Sequence, residues 1–164
     1  AAGRGSLFIF SQCAAPDAIL VSIDVAFSWP KRKAFPALSK PGQRIICLKL
    51  DSHQMETVDS VGSILRGRPI DLLFIDGDHS YEGVKADFEL FSPLVRPGGM
   101  IAFHDIVPDY KTRYGTETGI DSGGVPIFWE EIKSQFAEHK EIVEDRAQDG
   151  FGMGLVVWPG KEAE

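Results

Sequence analysis

Residues 71–106 read DLLFIDGDHSYEGVKADFELFSPLVRPGGMIAFHDI. The run DLLFID (71–76) is short and rich in Leu, Ile and Phe, the composition of a strand buried on both faces of a parallel sheet. From 81 to 95, Tyr81, Val84, Phe88, Phe91 and Val95 recur at three- and four-residue steps and predict one face of a helix. Pro97-Gly98-Gly99 predicts the helix stop and the turn into a second buried strand, GMIAFH (99–104). Strand, helix and strand in this order form a crossover unit, and such crossovers are right-handed. In sheets built from them, ligands bind beyond the carboxyl ends of the strands.

The alternation extends in both directions. Upstream, ILVSID (19–24) and RIICLKL (44–50) predict two further strands. Residues 6–15 predict an apolar helix, and 52–66 another, with Met55, Val58, Val61 and Leu65 on one face and Ser52 as N-cap. Downstream, residues 107–124 are polar and glycine-rich without a period, a long loop for a compact domain. A helix follows at 125–138, with Val125, Phe128, Trp129, Ile132 and Phe136 in one stripe. Residues 140–146 and 151–158 predict two antiparallel strands joined by a tight turn at Gln148-Asp149-Gly150. The expected fold is therefore α/β: a doubly wound, mostly parallel, Rossmann-like sheet with an antiparallel C-terminal hairpin, in one domain over residues 1–164. No strand precedes Gly3, where such a fold has one, so the chain reads as lacking its N-terminal strand.

Composition narrows the function. The formal net charge is −7, and no basic stripe interrupts it; Lys31-Arg32-Lys33 reads as a solvated helix start. Nucleic-acid and anionic-membrane partners need clustered cations, so neither is expected. No apolar run nears the roughly 18 residues that span a bilayer. Cys13 and Cys47 lie far apart in apolar surroundings and read as buried thiols in a reducing cytoplasm. Trp29 and Trp129 read as core.

Chemistry concentrates at predicted strand tips. Gly3-x-Gly5-Ser6 opens the first helix, where a glycine backbone and unpaired N–H groups suit a ligand. Asp24 ends the strand expected at 19–24, where a carboxylate can take both hydroxyls of a ribose, or simply cap a turn. Asp51-Ser52 follows the next strand and reads equally as helix cap or adenosine contact. The densest cluster is Asp76-Gly77-Asp78-His79. Carboxylates are costly to bury unpaired, so this tip implies a metal, a cationic ligand or an open cleft. His104-Asp105 ends the neighbouring strand, and Asp76 and Asp105 are placed to share a divalent cation such as Mg²⁺. Tyr110, Arg113 and Tyr114 sit in the loop that would cover such a site.

On these residues, from Gly3 to Ile106, the sequence resembles class I S-adenosylmethionine-dependent methyltransferases. Within them it is most similar to the bacterial branch of metal-assisted small-molecule and sugar O-methyltransferases, the cephalosporin hydroxylase-like and methyltransferase family 24-like proteins. The segment DGDHSYEGV carries the likeness most specifically. The resemblance implies that Gly3, Gly5 and Ser6 line the methionine part of S-adenosylmethionine, that Asp24 holds its ribose and that Asp51 and Ser52 border its adenine. It implies Asp76 at both metal and cofactor, Asp105 with its neighbour His104 at the metal, and Asp78 or His79 as the general base. A base near its working pH favours His79. The implied partner is a small hydroxylated acceptor, and a homo-oligomer is left open. Relatives that use a metal carry two adjacent acids where this chain has His104-Asp105, and imidazole suits Zn²⁺, Mn²⁺ or Fe better than Mg²⁺. A nucleotide-dependent oxidoreductase and a non-catalytic cofactor-binding module are the alternatives.

Overall fold

The computed structural model describes residues 5–27 and 34–160. Its contacts group the chain into two compact units, Ala1–Gly67 and Arg68–Glu164.

The first unit contains helix α1 (Ser6–Cys13), strand β1 (Ile19–Ile23), strand β2 (Arg44–Leu48) and helix α2 (Met55–Leu65). β1 and β2 pair in parallel, with Ile19 opposite Arg44 and Ile23 opposite Leu48. Phe27, Ile45 and Cys47 form its buried core, packed by Leu7, Leu20 and Phe35. Buried Gln43 ties the end of α1 to the start of β2, because its amide donates to the carbonyls of Ser11 and Ala15, each at 2.9 Å. Two expectations change here. α2 begins at Met55, not at Ser52, and Gln54 is its N-cap. The reason is Asp51, whose carboxylate accepts from His53 N (3.0 Å) and Gln54 Nε2 (3.1 Å) and holds residues 51–54 in a turn. Cys13 is exposed at the last turn of α1, while Cys47 is buried as expected. Gly3, Trp29 and Lys31-Arg32-Lys33 lie outside the described residues.

The second unit contains β3 (Ile70–Ile75), helix α3 (Tyr81–Phe91), β4 (Val95–His104), the short helix α4 (Tyr110–Tyr114), helix α5 (Val125–Lys133), β5 (His139–Ile142) and β6 (Met153–Trp158). The strand order is β3-β4-β6-β5. β3 and β4 are parallel, and β6 is antiparallel to both β4 and β5. α3 starts where Ser80 accepts from Gly83 N at 3.0 Å. It ends at Phe91, before the 3-10 turn Ser92–Leu94, because Pro93 has no N–H with which to continue the helical hydrogen-bond ladder. Pro97-Gly98-Gly99 therefore stops no helix. It lies inside β4 as a bulge: Ile70 faces Val95, yet Leu72 faces Met100.

Alternating residues of β4 and β6, including Ile101, Phe103 and Val156, pack with Val84, Phe128 and Trp129 into one core. Trp129 is fully buried and donates its Nε1–H to Glu141 Oε1 at 2.8 Å, as the core assignment required of an indole. The C-terminal pair is antiparallel as expected, but Ile142 pairs with Met153, so residues 143–152 form a longer connection than a tight turn. Among the described residues, no helix is long and apolar enough to cross a membrane.

Gly154 of β6 carries that packing. A Cβ there would lie 2.7 Å from the indole carbons of Trp129. Gly154→Ala is expected to lose about 1–3 kcal/mol by overpacking, read as a lower urea midpoint by tryptophan fluorescence. An unchanged midpoint would contradict this contact.

Candidate active site at the tips of β3 and β4

Parallel pairing places Ile75 opposite Phe103, so the residues that follow, Asp76 on one strand and His104-Asp105 on the other, emerge side by side. Asp105 is 6% exposed and Asp76 is half-buried. His104 Nδ1 lies 2.9 Å from Asp105 Oδ2 and 3.4 Å from Asp76 Oδ1. His79, from the loop before α3, brings Nε2 to 3.4 Å from Asp105 Oδ2 and 3.7 Å from Asp76 Oδ1. Two carboxylates and two imidazoles thus form one charge cluster. Most of these separations exceed hydrogen-bond length, so the attraction is that of ion pairs at close range.

The electrostatics follow from burial and neighbours. Burial pulls the Asp76 carboxyl upward, but His104 and His79 beside it outweigh this and hold it well below the ordinary carboxylate range. Asp76 pushes His79 up to about 9, against the opposing effect of burial. Asp105 and then Asp76 push His104 up to about 10. The sequence reading expected His79 to titrate near its working pH; instead the flanking carboxylates raise it to about 9 and keep it protonated at neutral pH.

His79 is also oriented. Its Nδ1 lies 2.5 Å from the carbonyl oxygen of Asp121. A carbonyl can only accept, so Nδ1 carries a proton and Nε2 is the nitrogen that titrates toward the carboxylates. The segment bearing Asp121 is fixed from below. Asp109, 1% exposed, accepts from Thr112 N at 2.7 Å and Ser122 N at 2.8 Å, and Ser122 Oγ donates to Val107 O at 2.8 Å. Gly124 N donates to His79 O at 2.7 Å. At Gly123, a Cβ would meet that same carbonyl at 2.2 Å, so only glycine lets the loop lie so close. The segment 107–124, featureless in sequence, is an ordered brace for His79. Asp109, Asp121 and Ser122 were missed there; the turn-forming run Asp121-Ser122-Gly123-Gly124 was the available signal.

Of the two residues expected to serve as base, His79 joins the cluster. Asp78 is exposed and accepts from Ser80 N at 2.8 Å, in the turn that starts α3. One donor atom each from Asp76, His79 and Asp105 lies within 4.8 Å of the others. This mixed oxygen and nitrogen set fits a divalent ion. Buried His104 Nδ1, close to both carboxylates yet without an aligned hydrogen bond, sits beside that set. The sequence placed His104 in the ligand set; the converging atoms bring in His79.

In the first unit, Gly5 is the N-cap of α1, Ser6 is its first residue, and a Cβ at Gly5 would meet nothing within 4 Å. Asp24 follows β1 and accepts from Ala26 N at 2.6 Å, the turn-capping role. Asp51 follows β2, exposed, with Ser52 beside it. Its carboxyl is lowered, chiefly by the hydrogen bond from His53 N.

A family model described as a methyltransferase domain matches residues 1–106. Among solved structures, the chain is similar to the methyltransferase MycE of the mycinamycin biosynthetic pathway, in complex with Mg, SAH and mycinamycin VI. That match has 16% identity and a TM-score of 0.56, covering 93% of this chain and 46% of that one. A cofactor-bound protein from MTB, Rv0187, gives 12% identity and a TM-score of 0.61 over 98% of this chain and 83% of its own. An O-methyltransferase from Bacillus cereus in complex with SAH gives 21% and 0.50 over 92% and 78%. These likenesses show the fold. The chain spans 8% and 19% of the length of two curated relatives that it matches.

Because His79 and His104 rise on folding from about 6.5 to about 9 and about 10, the stability they contribute is complete below about pH 6.5 and is lost as pH rises through 9 to 10. In EDTA, the urea midpoint is expected to fall between pH 7 and 10. The paired variant His79→Gln, His104→Gln should lose most of that slope; an equal slope would contradict the cluster.

Proposed function

Because this chain belongs to the methyltransferase-domain family, we propose that it transfers a methyl group from S-adenosylmethionine to a hydroxyl oxygen of a small acceptor. The observation that carries this reading is the convergence of Asp76, His79 and Asp105 within 4.8 Å at the carboxyl ends of two parallel strands. The MycE structure, which holds Mg, SAH and mycinamycin VI, and the SAH-bound O-methyltransferase from Bacillus cereus support the donor, the ion and the oxygen acceptor on this fold.

S-adenosylmethionine, when bound, supplies a methyl carbon made electrophilic by its sulfonium. The chain must then place an oxygen and remove its proton. His79 does the second. Its Nδ1–H is held on the Asp121 carbonyl, so neutral Nε2 is free to take the hydroxyl proton as the oxygen–carbon bond forms. Asp76 and Asp105 stabilise the imidazolium that results. With a pKa of about 9, roughly 1% of His79 is neutral at pH 7, a strong base at low occupancy. Asp78 shapes the turn that presents His79.

Where a divalent ion is bound, Asp76, His79 and Asp105 would hold it, and it would lend Lewis acidity to the acceptor oxygen. His79 must lose its Nε2 proton to bind the ion, so proton and ion compete for one nitrogen. In the first unit we assign Gly5 and Ser6, with Gly3, to the methionine part of the donor, Asp24 to its ribose, and Asp51 with Ser52 to its adenine. The acidic composition supports an enzyme without a nucleic-acid partner, which we place in the cytoplasm.

In EDTA, methyl transfer into a panel of phenols and glycosides is expected to rise about tenfold per pH unit up to about pH 9. His79→Gln should lower kcat about 10²- to 10³-fold and abolish that slope, while calorimetry still shows S-adenosylmethionine binding. Donor binding without product on any acceptor would instead favour a non-catalytic module.

A further inference from the structure

Beside the cluster, an open cleft of about 490 Å³ runs between the tip of β4 and the connection from β5 to β6. His104 is the wall it shares with the active site. Ile142, Phe151 and Met153 line it with apolar side chains, and Glu144 and Asp149 line it with carboxylates. None of the lining residues is a lysine or arginine.

Its position is built rather than incidental. Phe151 holds a left-handed backbone (φ 59), which side chains other than glycine adopt at a cost. Its carbonyl accepts from Val107 N at 3.0 Å, and Asp105 N donates to Gly152 O at 3.0 Å, so the connection is stitched to the strand tip that carries the cluster. The Phe151 ring is nevertheless 48% exposed and meets the His104 ring edge-on, with centroids 6.3 Å apart. The far end is anchored as well, because Asp149 Oδ1 accepts from Tyr110 N at 2.6 Å. Glu144 is exposed in the lining, and the cation of that lining, the His104 imidazolium, is already engaged by Asp105 at 2.9 Å and Asp76 at 3.4 Å.

We propose that this cleft receives the non-reacting part of the acceptor, and that it selects an apolar or aromatic body carrying a protonated amine. The chemistry is complementary on each side. An exposed aromatic face and two apolar side chains suit a flat or aliphatic body, and also attract a nearby cation. The carboxylates of Glu144 and Asp149, beside a His104 whose charge Asp105 and Asp76 already balance, suit an ammonium and repel a carboxylate. The acceptor role of the cleft rests on the methyl-transfer reading above; its charge preference does not.

The test uses the whole chain with neither S-adenosylmethionine nor metal, and titrates tyramine, p-cresol and 4-hydroxyphenylacetate while following backbone amide shifts. Tyramine should bind about tenfold more tightly than 4-hydroxyphenylacetate, with shifts centred on Phe151, Gly152 and Met153. Glu144→Gln should weaken tyramine about three- to fivefold and leave p-cresol unchanged. Phe151→Gly, which tolerates the left-handed backbone, should weaken both. Equal binding of the amine and the acid, shifts centred elsewhere, or no binding of any probe overturns the proposal. Failure of methyl transfer alone leaves this result standing, and loss of the amine preference leaves the transfer reading intact.

Discussion

Two carboxylates at neighbouring strand tips would repel each other and resist burial, and the rest of the second unit is arranged around answering that problem. The parallel register of β3 and β4 forces Asp76 and Asp105 together. His79 and His104 answer with positive charge at 2.9 to 3.7 Å. The same attraction that keeps both imidazoles protonated keeps Asp76 ionised. A closed set of opposite charges can lose protons and take up an ion with little change in net charge, which is a useful property for a site that must handle both.

Backbone geometry supports this arrangement at some cost. Asp105 has φ 61 and Phe151 φ 59, two non-glycine residues in left-handed backbone on facing segments. Their neighbours hydrogen-bond across the gap, Asp105 N to Gly152 O and Val107 N to Phe151 O. Residues persist in such conformations when the surroundings over-determine them, and these surroundings do. The consequence is directional: the turn at Asp105 brings its carboxylate back toward Asp76 and His79, where a plain extension of β4 would carry it past them.

Much of this was legible in the sequence because it rests on pattern. The apolar runs at 19–24, 44–50, 71–76 and 99–104 became strands, and the carboxylates at their ends stayed at their ends. The stripe from Val125 to Ile132 became the helix that covers the sheet, with Trp129 in the core. What escaped reading depends on contacts distant in sequence. The run 121–124 signals a turn, but not that Asp109 reaches Ser122 and closes the segment 107–124 into a brace. The protonation state of His79 escaped for the same reason. Histidine alone suggests a group that titrates near neutrality, and only the approach of Asp76 and Asp105 moves it.

The central claim is that His79 and His104 are imidazolium ions held between Asp76 and Asp105. Side-chain nitrogen NMR of the metal-free chain at pH 7.5 reads this directly. The expected spectrum has both ring nitrogens protonated in both residues. Neutral, single-tautomer signals from either ring would contradict the account.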